Sequence, residues 1–477
     1  MQFNIEATEY GTYDVVVCGG GTAGVCAAIA AARQGAKTIL IERSFSVGGM
    51  LTIGNGGITK FTEHCRDVDK YKSEVLDVLA TDPKKVQCVG GIAEEFVKRM
   101  ISNGTALGTS GEAGSYVFTD RIEAQWTLMQ MLEEAGAEVL YDTRVCYVTK
   151  DGNKVTGVIV NNKEGFCEIN ASCVIDTTGD ADVAHLAGVP CRKGASQDDV
   201  NEGSAERVGQ MQHVGTMYRV RGVDFEKLFN WLEANPERYF QHEFGVMSLQ
   251  NALESYKNGE MCVFRVLVDT PDYDRIPVQV YNLPAKDEAI LLGCYNGVYD
   301  IDGLNARDLS RAQFQLHERT RTMNECLKQI PGLDNITNLY IPDVGVRETR
   351  HIEGEYYLTA IDVLSGRDFE DSIGCGGHPI DIHPLPPEIE NMEFNHWRFH
   401  IPYRIMVPKK IENLLVAGRC VSGSRVAIGA IRPTAQCMVM GEAAGVAAAI
   451  SVKNKVNCRD VNIIELRTKL TENGAVL

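Results

Sequence analysis

The run Tyr13 to Arg43, YDVVVCGGGTAGVCAAIAAARQGAKTILIER, constrains the fold of this chain more than any other stretch. Val15, Val16 and Val17 read as a short strand buried on both faces, the parallel type. Gly19, Gly21 and Gly24 follow in G-x-G-x-x-G spacing, and an alanine-rich helix then runs to a stop at Gly35. A second strand, Thr38 to Ile41, ends at Glu42. In such a βαβ unit each glycine has its own physical task. Gly19 permits the tight turn, Gly21 lets backbone approach a pyrophosphate, and Gly24 lets helix and strand pack closely. The helix start offers free N–H groups and a positive dipole end to that pyrophosphate. Glu42 stands where an acid can accept hydrogen bonds from a ribose. Glycine-rich turns are common by themselves, but strand, glycines, helix, strand and acid in this order make a dinucleotide-binding unit.

At 477 residues the chain exceeds a single hydrophobic core, so at least two domains are expected. A net charge of −17 argues against nucleic acid or an anionic membrane as the main partner, while leaving the charge of a substrate open. The start, MQFNIEATEYGT, lacks the basic and apolar regions of a secretory signal, and no apolar run reads as a membrane span. The 15 cysteines are scattered without a C-x-x-C pair. That disfavours iron–sulfur, structural zinc or a disulfide scaffold and fits a reducing, cytoplasmic location.

After Arg43, five glycines (Gly48, Gly49, Gly54, Gly56, Gly57) crowd a loop whose interleaved apolar residues argue for burial. Helices are expected near Val68–Ala80, Ile92–Ser102 and Asp120–Ala135, the last with Asp120 as N-cap and Gly136 as stop. Strands are expected at Glu138–Tyr141, Arg144–Thr149, Lys154–Asn161, Phe166–Ile169 and Ala171–Ile175, the last opening into Asp176-Thr177-Thr178-Gly179-Asp180. The polar stretch Arg192–Gly209 reads as a mobile loop. Between Met217 and His400, mixed strands and helices read as a separate α+β domain, interrupted by the proline-rich Pro379–Pro387. Asn413–Ala417 is again an apolar parallel-type strand, and Thr434–Ile450 is a helix whose Gly441 and Gly445 mark close packing on a neighbour. The fold class is therefore α/β: a Rossmann-like dinucleotide-binding domain with a parallel sheet and a β-hairpin (meander) insertion, plus an inserted α+β substrate domain. The expected division is 1–190 for the first part of the binding domain, 191–404 for the substrate or cap domain, and 405–477 for the returning part.

The opening unit, the Glu42-Arg43 pair, the Gly48-Gly49 doublet, the Asp176–Asp180 turn and the late NLLVAGR strand resemble a two-domain FAD-dependent oxidoreductase. The plan of the FAD domain is similar to that of fumarate reductase and succinate dehydrogenase flavoproteins. A bacterial FAD-dependent oxidoreductase family is a closer match, on VGVRETRHIEGEY (Val344–Tyr356), GGHPIDIH (Gly376–His383), IPYRIMVP (Ile401–Pro408) and the stretch Asn413–Gly445. The resemblance implies that Gly19, Gly21, Thr22, Ala23 and Gly24 hold the pyrophosphate, and that Glu42 binds the adenosine ribose with Arg43 beside the adenine. It implies Gly49, Met50 and Leu51 along the diphosphate and ribityl chain, and the Val145 backbone at the adenine. Thr178 and Gly179 would close over the dinucleotide, and Gly418 and Arg419 would approach its ribityl part. Arg432, Pro433 and Thr434 would aim the start of the last helix at the pyrimidine end of the flavin, where helix N–H groups stabilise negative charge. No histidine follows Gly48-Gly49 closely, His64 being the nearest, so FAD is expected to be noncovalent. There is no cysteine pair for disulfide chemistry after the doublet and no second strand–glycine–helix unit for a nicotinamide.

Flavin chemistry leaves the protein to orient substrate and handle a proton. The candidates cluster at Arg347, Glu348, Arg350 and His351, and at His378, Asp381 and His383, with Tyr403 and Arg404 on the strand returning to the FAD domain. Arg404, Tyr403, His378, His383 and Arg350 are taken as the catalytic set, the arginines as clamps and the others as proton carriers. Arg347, Glu348 and Arg350 read equally well as an ion-pair network bridging the domains. His378, Asp381 and His383 are metal-ligand types without further spaced ligands, so no metal is expected, and Cys375 reads as a small packed residue. The expected activity is hydride transfer between flavin N5 and a small polar metabolite. A fumarate-reductase-like C=C reductase and an FAD-carrying electron-transfer subunit are the alternatives. The partner is a small-molecule substrate, with a second copy of the chain or an electron-transfer protein left open. Flavin-dependent RNA modification is disfavoured by the acidic charge.

Overall fold

The computed structural model describes residues 6–54, 57–59, 62–64, 85–108, 116–203, 205–240, 247–271, 275–293, 297–378, 380–382 and 398–477. The helix expected near Val68–Ala80, the residue His383 and most of the proline-rich path lie outside the described residues.

The fold is α/β. Its main sheet has seven strands and is centred on Thr8–Cys18, which pairs in parallel with Thr38–Ile41 on one side and Gly165–Asp176 on the other. Val15, Val16 and Val17 are fully buried, as a strand covered on both faces requires. Glu138–Leu140 extends the parallel edge beyond Thr38–Ile41. On the far side the antiparallel hairpin strands Lys154–Asn162 and Arg144–Asp151 follow. The two short strands expected at Phe166–Ile169 and Ala171–Ile175 are one 12-residue strand, Gly165–Asp176, because it has partners along its whole length. Its first half holds the hairpin, and Val174–Asp176 pairs in parallel with Leu414–Val416. The late NLLVA segment thus joins the sheet that opens the chain.

The first helix, Thr22–Arg33, packs against the long helix Thr434–Asn454. The crossing is close because both faces are small. A Cβ on Gly441 would lie 2.1 Å from the Ala23 carbonyl oxygen, and one on Gly445 would lie 2.2 Å from that of Ala27. The Thr434 helix is long and apolar enough to cross a membrane by length and composition, contrary to the sequence reading, but 94% of its apolar window is buried inside the protein. A helix hydrophobic all round suits a position enclosed by the sheet and its neighbouring helices.

Between these segments the chain builds a second, antiparallel sheet of five strands in the order Val263–Val268, Ile276–Asn282, Glu288–Gly293, Tyr218–Arg221, Thr337–Tyr340. It has its own core, in which Phe225, Phe229, Phe264 and Tyr256 pack ring on ring. The stretch expected as a mobile loop contains the strand Cys191–Lys193 and the short helix Gln197–Asn201. Ser196 and Asp199 cap that helix reciprocally, and Asp199 is buried.

Candidate functional site

The glycine turn at the start of the first helix has the shape its spacing predicts. Gly19 has φ +108°, and a Cβ there would lie 2.7 Å from the Thr177 carbonyl oxygen. A Cβ on Gly24 would lie 1.8 Å from the Gly19 oxygen, so this glycine serves packing. Gly21 is different: nothing lies within 4 Å of where its Cβ would be. It is the N-cap of the helix, and no side chain caps the first turn there. Uncapped N–H groups beside open space suit an anionic phosphate. The second glycine loop lies against this turn. Gly48 donates its N–H to Gly20 O at 2.7 Å, and Gly21 and Gly48 form a parallel bridge. Gly48 and Gly49 both have positive φ. Leu51 is buried and Met50 is exposed.

Glu42 is buried at the end of its strand. Its Oε2 accepts from Gly20 N at 2.6 Å and its Oε1 from Ser44 N at 2.8 Å. These bonds fix the carboxylate beside the turn, and each oxygen has lone-pair capacity beyond the one bond it accepts. Arg43 is exposed. Thr143 donates its N–H to Glu42 O at 3.0 Å, which brings the start of the Arg144–Asp151 strand, with Val145, alongside.

The Asp176–Asp180 turn closes the same cleft from the neighbouring strand. Thr177 Oγ1 donates to Gly19 O at 2.7 Å. Asp176 accepts from Thr178 Oγ1 and from Ala184 N, and burial pushes its carboxyl up to about 6 against those bonds. Gly179 and Gly418 have positive φ. Arg419 reaches across to Asp180 Oδ1 at 2.7 Å and to Thr349 Oγ1 at 3.0 Å. Burial would raise the Asp180 carboxyl, but Arg419 and Thr349 outweigh it and hold it below its ordinary value. At the other end, Arg432 donates to Asp381 Oδ2 at 2.7 Å. Pro433 and Thr434 begin the long helix with no side-chain cap. Five positive-φ glycines and two uncapped helix starts therefore surround one cleft, drawn from segments at both ends of the chain.

The family description "FAD dependent oxidoreductase" matches residues 14–470, nearly the whole chain. The chain belongs to the FAD-dependent oxidoreductase family. Its cofactor is FAD, and the cleft fits it: the open face of Gly21 and the uncapped helix starts are what a dinucleotide requires. Among curated relatives, digeranylgeranylglycerophospholipid reductase of Picrophilus torridus is 30% identical over 35% of this chain and 39% of its own length. Thiamine thiazole synthase of Methanococcus aeolicus is 31% identical over 39% of this chain and 60% of its own length. Each match thus spans less than two thirds of the relative. A solved geranylgeranyl bacteriochlorophyll reductase-like protein of Thermoplasma acidophilum covers 97% of this chain and 83% of its own at 16% identity, with a TM-score of 0.45.

Within this FAD-dependent oxidoreductase the expected catalytic residues do not come together as one set. Tyr403 is buried in the core, its hydroxyl donating to Cys458 O at 2.7 Å. The strand ends at Pro402, and Tyr403 opens the 3-10 turn that follows, buried like Phe399 and Ile401 two and four positions before it. Arg404 lies half-exposed, its Nε and Nη2 both on Asp371 and its guanidinium 5.1 Å over the Tyr356 ring. Arg350 braces the Asp176–Asp180 turn through Asp180 O and Asp182 Oδ1. His378 follows the strand Ser372–Gly376 and precedes Asp381, the partner of Arg432. His383 lies outside the described residues. Among those residues, no group of three or more His, Cys, Asp or Glu side chains is placed to hold a metal.

A buried charged cluster was only half visible in the sequence. Glu348 faces Arg425 Nε at 3.2 Å and accepts from Gln212 N at 2.9 Å. Asp199 accepts from the Arg425 backbone N–H, and Arg425 Nη1 donates to Gln210 O. His351, on the next strand, is buried and held neutral, its imidazole lowered to about 4 by burial and by the Arg419 charge. Sequence inspection flagged Glu348 and His351, but no spacing links them to Asp199 or Arg425. The clue available was charge within otherwise small or apolar runs, as in SGSRVAIGAI.

Proposed function

We propose that this chain transfers a hydride between noncovalently held FAD and a small, polar, uncharged metabolite. The observation that carries this reading is the state of the arginines. Four of them belong to the cleft or its flanks, and each is already engaged by a carboxylate: Arg350 with Asp182, Arg419 with Asp180, Arg425 with Glu348 and Arg432 with Asp381. A guanidinium whose fork is taken is a poor clamp for a second carboxylate.

Bound FAD supplies the electron-pair chemistry by accepting or returning a hydride. In this reading the backbone of Gly19, Gly21, Thr22, Ala23 and Gly24 binds the pyrophosphate. Glu42 orients the ribose, with Arg43 and the Val145 backbone beside the adenine. Gly49, Met50, Leu51, Thr178, Gly179, Gly418 and Arg419 enclose the middle of the cofactor. Arg432, Pro433 and Thr434 bring a helix start to the flavin, where its N–H groups stabilise negative charge. Arg350 positions the Asp180 turn rather than the substrate.

A second reading is reduction of an activated C=C bond in the manner of fumarate reductase, but the reductases among the relatives are named for digeranylgeranylglycerophospholipid and not for a dicarboxylate. It calls for a cation free to hold a carboxylate, and the arginine pairings weigh against it. The test is anaerobic mixing of the purified flavoprotein with neutral alcohols, amines and sugars on one side and dicarboxylates on the other. Flavin bleaching by a neutral compound is the expected result. Turnover of the reduced protein by unsaturated dicarboxylates alone would overturn the reading.

A further inference from the structure

The second glycine loop is held from outside at two consecutive carbonyls. Its last four N–H groups are bonded within it: Leu51 N donates to Gly48 O, and Thr52, Ile53 and Gly54 N converge on Gly49 O. The Thr52 and Ile53 carbonyls are taken by side chains from two distant segments. Arg121 Nε donates to Thr52 O at 3.1 Å, and Tyr340 Oη donates to Ile53 O at 2.8 Å. These two side chains also bind each other, with the Arg121 guanidinium 3.6 Å over the Tyr340 ring. Arg121 opens the helix Arg121–Ala135 behind its N-cap Asp120, and Tyr340 ends the strand Thr337–Tyr340 at the edge of the second sheet.

The contact has a second prong. Directly opposite Tyr340 on the neighbouring strand is Arg219. Its side chain, 10% exposed, bonds Asp120 Oδ2 at 2.9 Å and is anchored on its own sheet by Glu288. Burial would raise the Asp120 carboxyl, but the Glu123 and Ile122 N–H groups and Arg219 outweigh it and hold it below its ordinary value. Adjacent residues of the helix start, Asp120 and Arg121, are thus gripped by paired residues of the second sheet, Arg219 and Tyr340. On its other side the loop lies against the first glycine turn. Gly48 N bonds Gly20 O, and a Cβ on Gly49 would lie 3.1 Å from Gly21 Cα. The loop is therefore bounded by the turn on one side and by this clasp on the other.

We propose that Arg121 and Tyr340 are positioning residues for the cofactor, through which the second sheet sets the placement of Gly49–Leu51 along the diphosphate and ribityl chain. The inference rests on the reading above that Gly49, Met50 and Leu51 enclose the middle of FAD. Neither residue touches substrate or moves a proton. Each N–H or O–H donor fixes one carbonyl, and the cation stacked on the ring ties the two bonds into one unit. A loop ordered in advance does not draw its ordering entropy from FAD binding. Retention of FAD then depends on a residue 287 positions from the loop, in the part of the chain read as the substrate domain.

The test uses the purified holoprotein. Tyr340→Phe removes the hydroxyl and leaves the ring under Arg121. Visible circular dichroism of the bound flavin is recorded, the protein is diluted, and FAD release is followed by the fluorescence of the freed flavin. Release should quicken about fivefold, as for the loss of one hydrogen bond, and the dichroism bands should change. Arg121→Lys keeps the charge, loses the planar fork and should move both signals in the same direction. Ile330→Val, in the core of the second sheet, lowers stability without touching the clasp and serves as the control. A Tyr340→Phe protein that melts lower yet keeps the wild-type release rate and dichroism overturns the proposal, and so does an equal quickening in Ile330→Val. If Tyr340→Phe yields no folded flavoprotein, Arg121→Lys decides by the same two signals. Gly49→Ala tests the underlying reading separately, because its methyl presses the loop on Gly21. Quicker release there with Tyr340→Phe silent overturns the clasp and keeps the role of the loop. No effect from Gly49→Ala removes the loop reading, and the proposal with it.

Discussion

Glu442 allows a prediction whose sign changes with pH. It lies on the Thr434 helix, 3% exposed, with Oε2 accepting from Ile92 N at 2.9 Å at the start of the helix Gly91–Ser102. Its other oxygen is buried without a hydrogen-bond partner. Burial pushes the carboxyl up to about 7, more than the Ile92 N–H and Arg33 lower it. Because the folded-state value is raised, the folded protein binds this proton more tightly than the unfolded chain. The associated stability is fully present below the unfolded value of 4.5 and is lost as pH rises through about 7. At about 1.4 kcal/mol per unit, the loss amounts to about 3 kcal/mol above pH 8. Glu442→Gln keeps an oxygen for Ile92 N and cannot ionise. Urea unfolding followed by tryptophan fluorescence should give similar midpoints for both proteins at pH 5, and a higher midpoint for the variant at pH 8.5. A variant destabilised equally at both pH values would show that the buried carboxylate is stabilised when ionised, and would refute the reasoning.

The two glycines of the first turn should separate folding from cofactor binding. Gly21→Ala places a methyl in open space, so thermal stability of the cofactor-free protein should hold while FAD content falls, measured by absorbance after purification. Gly24→Ala meets backbone and should lower the stability of the cofactor-free protein itself by about 1–3 kcal/mol. Gly441→Ala forces the first helix off the Thr434 helix and should cost a similar ~1–3 kcal/mol in chemical unfolding, with weaker FAD retention if Ala23 binds the pyrophosphate as proposed. Arg404→Lys loses a surface fork on Asp371 and should change stability by under about 1 kcal/mol with flavin reduction unaltered. A tenfold fall in reduction rate would return Arg404 to the active site. Heat or acid should release free FAD into solution, and yellow colour retained on the precipitate would indicate a covalent link.

What was legible in the sequence was local. The first βαβ unit, the Asp120 cap accepting from Ile122 N and Glu123 N, and the late strand Leu414–Val416 all depend on neighbours a few positions away. Their patterns therefore carry over directly into structure. The arginine partners were not legible, because each ion pair joins segments that only the fold brings together. Arg425 and Glu348 are 77 positions apart (425 − 348) and Arg419 and Asp180 are 239 apart. Tyr403 misleads for a different reason: its place between the two parts of the chain suggested a site, although period-two alternation from Phe399 and Ile401 already puts it on their buried face. The short helix at Gln197–Asn201 is stabilised by Ser196 and Asp199, yet its place is fixed by Arg425, which no local rule could supply.

The seam between Ala23 and Gly441 has a consequence for how the protein is made. The two residues meet across 418 positions of chain (441 − 23). While the chain leaves the ribosome, the first helix therefore waits with its alanine face uncovered until the Thr434 helix has emerged. The strand Leu414–Val416 also reaches its place beside Val174–Asp176 late. Closing contacts this distant in sequence is slow, and the apolar surface exposed in the meantime favours aggregation. Synthesis should depend on chaperones that shield the unfinished half. Truncations that stop short of the Thr434 helix should give insoluble protein rather than a smaller FAD-binding fragment, although every glycine of the first turn would still be present.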